Sequence, residues 1–115
     1  VSIHVNLSRE TEGMISEETL HKMKKGAYLI NTSRGKIINQ KALEKALEEG
    51  YLGGAALDVY EVEPPTDQEL LCLPNLICTP HIGGSTEEAF LNATEVLIRK
   101  LKEIFQIGEG APLGY

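Results

Sequence analysis

The sequence predicts an α/β protein built on a parallel sheet, and three observations carry that expectation. Short apolar runs alternate with helical patterns along the chain, which is the signature of βαβ units. The run at residues 27–31, Ala-Tyr-Leu-Ile-Asn, is apolar without alternation, as in a strand covered on both faces. Cap and turn residues such as Gly26, Asn39, Gly50 and Ser85 punctuate the segments.

Residues 1–5 form the first expected strand and residues 6–13 a polar connection. A short helix follows over 16–25. Glu17 and Glu18 at its start and Lys24 and Lys25 at its end suit the helix dipole, and Gly26 is placed to cap it. The second strand is 27–31. Asn39 opens a helix to about residue 49, with Gly50 after it and Ala42, Leu43, Ala46 and Leu47 on its apolar face. Residues 54–59 are a third strand and 76–79 a fourth, joined by a proline-bearing loop. Ser85 and Glu88 read as a capping box that opens the longest helix, to about residue 106. Its broad apolar face carries Ala89, Ala93, Val96, Leu97, Leu101, Ile104 and Phe105. Gly108 ends it, and a loose tail follows.

Composition narrows the function classes. With 11 Lys and Arg against 17 Asp and Glu, the formal net charge is −6, and without a basic cluster the chain is a poor nucleic-acid binder. No apolar run approaches the roughly 18 residues of a spanning helix, so no membrane partner is expected. Cys72 and Cys78 match no zinc or redox spacing, and His4, His21 and His81 add no ligand pattern; no metal is expected. A cytoplasmic setting is the expectation. The chain opens directly on a strand, which reads as a fragment of a larger domain.

Open parallel sheets gather ligands at the C-terminal ends of their strands. Four groups stand at those ends: His4, Val5 and Asn6; Thr32, Ser33 and Arg34; Asp58 with Glu61 and Glu63; and His81 with Gly83 and Gly84. An arginine, several carboxylates and a histidine are therefore expected on one rim.

The stretch at 23–35, ending Asn31-Thr32-Ser33-Arg34-Gly35, resembles a signature of the D-isomer-specific 2-hydroxyacid dehydrogenases. So do the stretch at 54–64, Gly-Ala-Ala-Leu-Asp-Val-Tyr-Glu-Val-Glu-Pro, and Leu73-Pro74-Asn75-Leu76 followed by Thr79-Pro80-His81-Ile82-Gly83-Gly84-Ser85-Thr86. Three ordered signatures are far more specific than one, and the resemblance covers roughly residues 1–105. The wording at 81–86 is nearest the D-3-phosphoglycerate dehydrogenase branch. The resemblance implies half of a doubly wound Rossmann-type sheet: residues 1–107 as the C-terminal half of a nucleotide-binding domain and 108–115 as a tail. It also implies NAD as cofactor, with NADP left open, and a small 2-hydroxy or 2-keto acid as substrate.

Oxidising a 2-hydroxy acid requires a base for the hydroxyl proton and a cation for the carboxylate. His81 is the candidate base, since an imidazole both accepts and returns a proton near neutrality; the plainer reading is a helix-entry histidine. A carboxylate on its other ring nitrogen would fix the tautomer. Glu61 and Glu63 are both placed for this, and the resemblance selects Glu63, the one before the proline. Arg34 is the candidate carboxylate clamp through paired hydrogen bonds, against the alternative of a turn arginine. Asp58 ends an apolar strand, where a carboxylate needs a partner; the resemblance puts it by the nicotinamide end of the cofactor, and the alternative is a turn aspartate. His4, Val5, Asn6, Thr32, Ser33, Arg34, Asp58, His81, Gly83 and Gly84 are the implied cofactor contacts. Asn6 departs from the family, which usually has proline there.

The fingerprint G-x-G-x-x-G is absent, and Gly50, Gly53 and Gly54 do not reproduce it. The resemblance places that motif upstream. The expectation is therefore the catalytic half of an NAD-dependent oxidoreductase, inactive alone, and either a homo-oligomer that self-associates through its exposed sheet edge or a chain of only marginal stability. A non-catalytic scaffold of the same fold, corepressor-like or a remnant, is the alternative.

Overall fold

The computed structural model describes residues 1–105, which fall into two compact units, Val1–Gly83 and one from Gly84 onward. The first unit holds a four-stranded sheet in the order β1-β2-β3-β4, with every neighbouring pair parallel. The strands are β1 (Ser2–Ile3), β2 (Tyr28–Asn31), β3 (Gly54–Leu57) and β4 (Leu76–Cys78). Between them lie α1 (Glu17–His21), α2 (Gln40–Glu48) and a short α3 (Gln68–Leu71). The second unit contributes α4 (Glu87–Phe105). No helix of the described residues is long and apolar enough to cross a membrane.

Helix ends are set by local chemistry. Ser16 and Thr19 form a capping box at α1, each accepting from the other's backbone N–H. The helix stops at His21, earlier than the sequence reading, and Gly26 does not cap it. Gly26, at φ +80°, instead turns the chain into β2 and donates its N–H to the Tyr51 carbonyl. Asn39 caps α2 by accepting from the Ala42 N–H. At α4 the capping acceptor is the Thr86 hydroxyl, bonded by the Ala89 N–H, and not Ser85 as the sequence pattern suggested. The turn α3 forms where the sequence predicts a loop. It is capped by Asp67, and its Leu70 is fully buried. The expected stop at Gly108 and the tail lie outside the described residues.

One side of the sheet meets α1 and α2. Ile3, Leu29, Ala55 and Leu57 point inward from the strands to Leu20 of α1 and to Leu43, Ala46 and Leu47 of α2, forming one core with Ile37, Leu52 and Leu70. The Tyr51 hydroxyl donates to the carbonyls of both His21 and Met23, fastening the end of α1 to the turn after α2. Glu44 of α2 is unexpectedly buried. Lys41 answers it at 2.8 Å and also reaches Asp67 at 3.2 Å, which pushes the Lys41 ammonium well above its ordinary range.

β2 is not covered on both faces as expected. Within the first unit α1 and α2 lie on one side, so β2 alternates, with Leu29 and Asn31 buried and Tyr28 and Ile30 exposed. Register places Ser2, Ile30, Ala56 and Ile77 in one row on that other face.

Leu43 has no exposed surface. Replacing Leu43 by Ala is expected to lower the unfolding free energy by about 2–5 kcal/mol, read from urea denaturation.

Candidate functional site

Parallel pairing aligns the strand exits, and each candidate side chain hangs from one. Two further features shape the rim: an asparagine that organises the arginine loop and an aspartate that organises the histidine loop.

Asn31 ends β2 on its inward face, only 1 % exposed. A buried amide must be satisfied. Its Nδ2 donates to the Arg34 carbonyl at 3.0 Å, and its Oδ1 accepts from the Ser33 N–H at 3.0 Å. The Ser33 hydroxyl crosses to the Val5 carbonyl and ties the β1 exit to the β2 exit. Arg34 emerges extended, with its guanidinium donating to the Ser33 carbonyl at 2.7 Å. Gly35 follows, and here glycine is obligatory: an added Cβ would lie 1.9 Å from both the carbonyl carbon and oxygen of Tyr60. The arginine loop thus seats directly on the backbone of the β3 exit.

Asp58 sits one residue past β3 and is buried. Its Oδ1 accepts from the Thr79 hydroxyl at 2.6 Å and the Ile82 N–H at 2.9 Å; its Oδ2 accepts from the Gly83 N–H at 2.8 Å. These bonds, led by the Thr79 hydroxyl, hold the Asp58 carboxyl below its usual range against the opposing effect of burial. Gly83 fits the carboxylate closely, because a Cβ there would come within 2.9 Å of Oδ2. Between these anchors His81 adopts φ +56°, the left-handed region that a residue with a Cβ enters at a cost. A cost of that kind persists where the surroundings over-determine the backbone, and the Asp58 carboxylate supplies three such restraints.

The His81 Nδ1 lies 2.7 Å from Glu63 Oε2, while Glu63 Oε1 accepts from the Tyr60 N–H at 3.0 Å. The His81 ring first, then the Tyr60 amide, keep the Glu63 carboxyl below the ordinary glutamate range. An ionised Glu63 can only accept, so Nδ1 carries a proton and donates it. That leaves Nε2 of the neutral ring as the free base. Glu61 does not reach the ring; its N–H faces the Gln40 side chain at 3.4 Å. Arg34, Lys36, Glu63 and His81 line one cavity of about 280 Å3 together with Leu7 and Gly35.

The remaining candidates are spread out. His4 Nε2 lies 2.7 Å from the Ser2 hydroxyl at the exposed β1 end. Asn6 and Thr32 are exposed. Gly84 belongs to the second unit. A separate cluster of Glu44, Asp67 and Glu69 is spanned by Lys41. Sequence reasoning assigned no role to Asn31 or Tyr60. The available signal for Asn31 was a polar residue two positions after Leu29 on an inward strand face.

Two outcomes follow from this geometry. Gly35→Ala should force the arginine loop off the Tyr60 carbonyl and cost about 1–3 kcal/mol of stability in thermal or urea unfolding. Asp58 titrates lower folded than unfolded, so its stabilisation is complete above the unfolded value of about 3.9 and is lost as pH falls through the lower folded value. The amide resonances of Ile82 and Gly83 should therefore move together as pH falls below about 4. Asp58→Asn should displace both already at neutral pH.

Residues 1–83 match the sequence model described as "D-isomer specific 2-hydroxyacid dehydrogenase, NAD binding domain". The chain is 48 % identical over 113 residues to D-3-phosphoglycerate dehydrogenase of Bacillus subtilis, covering 98 % of this chain and 21 % of that protein. It is 49 % identical over 113 residues to glyoxylate reductase of Thermofilum pendens, covering 97 % of this chain and 33 % of that one. Among solved structures, a glyoxylate reductase from Paecilomyes thermophila superposes with a TM-score of 0.86 at 38 % identity, covering 94 % of this chain and 33 % of the other. D-lactate dehydrogenase from Aquifex aeolicus, complexed with NAD and lactic acid, gives 0.81 at 34 % identity, covering 91 % and 36 %. The chain thus spans about a fifth to a third of the length of these relatives. With residues 1–83 matched to the family's NAD-binding domain and the signatures clustered on one sheet rim, the chain belongs to the D-isomer-specific 2-hydroxyacid dehydrogenase family.

Proposed function

We propose that this chain supplies the acid–base half of an NAD-dependent dehydrogenase that interconverts a D-2-hydroxy acid and its 2-keto acid, and that it does not turn over alone. The observation that carries the reading is the 2.7 Å bond between His81 Nδ1 and Glu63, which presents Nε2 as a base in a cavity shared with Arg34.

In this reading Arg34 pairs with the substrate carboxylate and sets which face of the adjacent carbon meets the cofactor. His81 Nε2 takes the hydroxyl proton on oxidation and returns it to the carbonyl oxygen on reduction. Glu63 holds the ring orientation and stabilises the imidazolium formed when Nε2 gains its proton. Asp58 acts through the backbone by fixing the His81 loop.

The donor set at the strand exits fits a nicotinamide carboxamide. Thr32 and Asn6 stand exposed there with donors and acceptors to offer. His4, Val5, Asn6, Thr32, Ser33, Arg34, Asp58, His81, Gly83 and Gly84 are the proposed contacts. Of these, the Val5 carbonyl and both Asp58 oxygens are already engaged within the protein, so Val5 and Asp58 would contribute mainly by shaping the rim. When bound, the nicotinamide supplies the hydride acceptor. NAD is the proposed form, with NADP as the other possibility.

Self-association belongs to the same proposal. β1 is an edge of the sheet, and an edge strand offers unpaired N–H and C=O groups to a second copy. So does a cytoplasmic setting, where thiols such as Cys72 and Cys78 stay reduced.

A chimera tests the enzyme reading. Residues 1–105 replace the matching segment of the Bacillus subtilis enzyme, and NADH formation is measured with a panel of D-2-hydroxy acids. Turnover is expected, falling about 10²–10⁴-fold in His81→Gln. A folded chimera without turnover, or with turnover indifferent to His81→Gln, would favour a non-catalytic scaffold. Sedimentation of the 115-residue chain is expected to show concentration-dependent dimers; a monomer at every concentration removes that part.

A further inference from the structure

Tyr60 is almost wholly buried and touches every loop that bears a proposed acid–base or carboxylate-binding group. Its N–H holds Glu63 Oε1 at 3.0 Å. Its carbonyl is the surface on which Gly35, beside Arg34, comes to rest. Its hydroxyl lies 2.9 Å from the Thr79 carbonyl and 3.2 Å from the Leu57 carbonyl, two acceptors with one proton between them. Thr79 is two residues before His81, and its own hydroxyl is held by Asp58. The ring itself belongs to the hydrophobic core.

We propose that Tyr60 is a positioning residue for the Glu63–His81 pair, fastening both of their loops to one rigid core side chain so that the carboxylate and the ring keep their bonding distance. The inference rests on reading Glu63 and His81 as the acid–base pair, and it adds a residue outside that pair. A proline-bearing loop carries Glu63, while His81 sits in a left-handed conformation held by Asp58. Without a common anchor, a small drift of either loop would open the 2.7 Å contact. Burial pushes the Tyr60 phenol up, so the hydroxyl keeps its proton and remains a donor throughout the working range of the pair.

The test reads the pair directly in the 115-residue chain and needs no turnover. The Glu63 carboxyl is followed by carbon NMR as pH is varied, assigned with Glu63→Gln. The charged and titratable groups around it are His81 from the β4 exit, Asp58 and Glu61 from the β3 exit, and Arg34 and Lys36 from the β2 exit. In Tyr60→Phe the Glu63 midpoint is expected to move up toward the free value of about 4.3. Tyr51→Phe is the matched control: it deletes a hydroxyl that also holds two carbonyls, those of His21 and Met23, away from the rim. That variant should leave the Glu63 midpoint where it is. An unmoved midpoint in a folded Tyr60→Phe chain, or equal movement in both variants, overturns the proposal. Should Tyr60→Phe fail to fold, the wild-type hydroxyl decides. A slowly exchanging proton with contacts to Thr79 supports the proposal, and its absence overturns it. Failure of the chimera to turn over would bear on the enzyme reading and leave this result standing.

Discussion

Parallel pairing of four strands is the constraint on which everything else rests. It sends every strand exit of the first unit to one edge, so that segments far apart in sequence deliver their polar residues to a common rim. It also requires a crossover between each pair of successive strands; α1, α2 and α3 lie in the three crossovers, and α1 and α2 seal one sheet face with Leu20, Leu43 and Leu47. The core and the site are therefore two consequences of one pairing pattern. Inward-facing strand residues build the core, and the same strands end where the chemistry is proposed.

The rim is held by buried polar groups more than by packing. Asn31, Asp58 and Tyr60 are each nearly inaccessible, and each spends its hydrogen bonds on the backbone of an exit loop. In a low-dielectric interior such bonds are strong, and leaving a partner unpaired is costly. That asymmetry makes the loops behave as a unit. It also explains how His81 can rest at φ +56° on an otherwise exposed segment: the backbone on its C-terminal side is tied down by a carboxylate, and the residue two before it by a hydroxyl and a phenol.

Much of this was legible in the sequence. The alternation of apolar runs with helical patterns predicted strands and helices in the right order, because burial of one helix face and one strand face leaves a periodic trace. Asn39 and Gly50 marked the ends of α2, since caps and positive φ angles demand particular residue types. The three signatures pointed to Arg34, Asp58, Glu63 and His81 as a group, and their local order placed Glu63 ahead of Glu61 as the partner of His81.

What the sequence by itself determined was the element order, the family and the residue types available for chemistry, because these depend on local periodicity and on contiguous motifs. Only the tertiary structure decided which bonds those residues make. It spent the Asp58 oxygens on the His81 loop, made Asn31 the organiser of the Arg34 loop, and brought Gly35 against Tyr60. It moved the α4 cap from Ser85 to Thr86, left Tyr28 and Ile30 on an uncovered face, and turned part of a presumed loop into α3 around Leu70. The Asp58 bonds, the Gly35 contact, the bared face of β2 and the burial of Leu70 depend on partners distant in the chain or on which sheet face the helices cover, and neither leaves a periodic mark in the sequence. The Asn31 bonds and the Thr86 cap are local, and they turn on the backbone path that the exit loops take when the strands are in place.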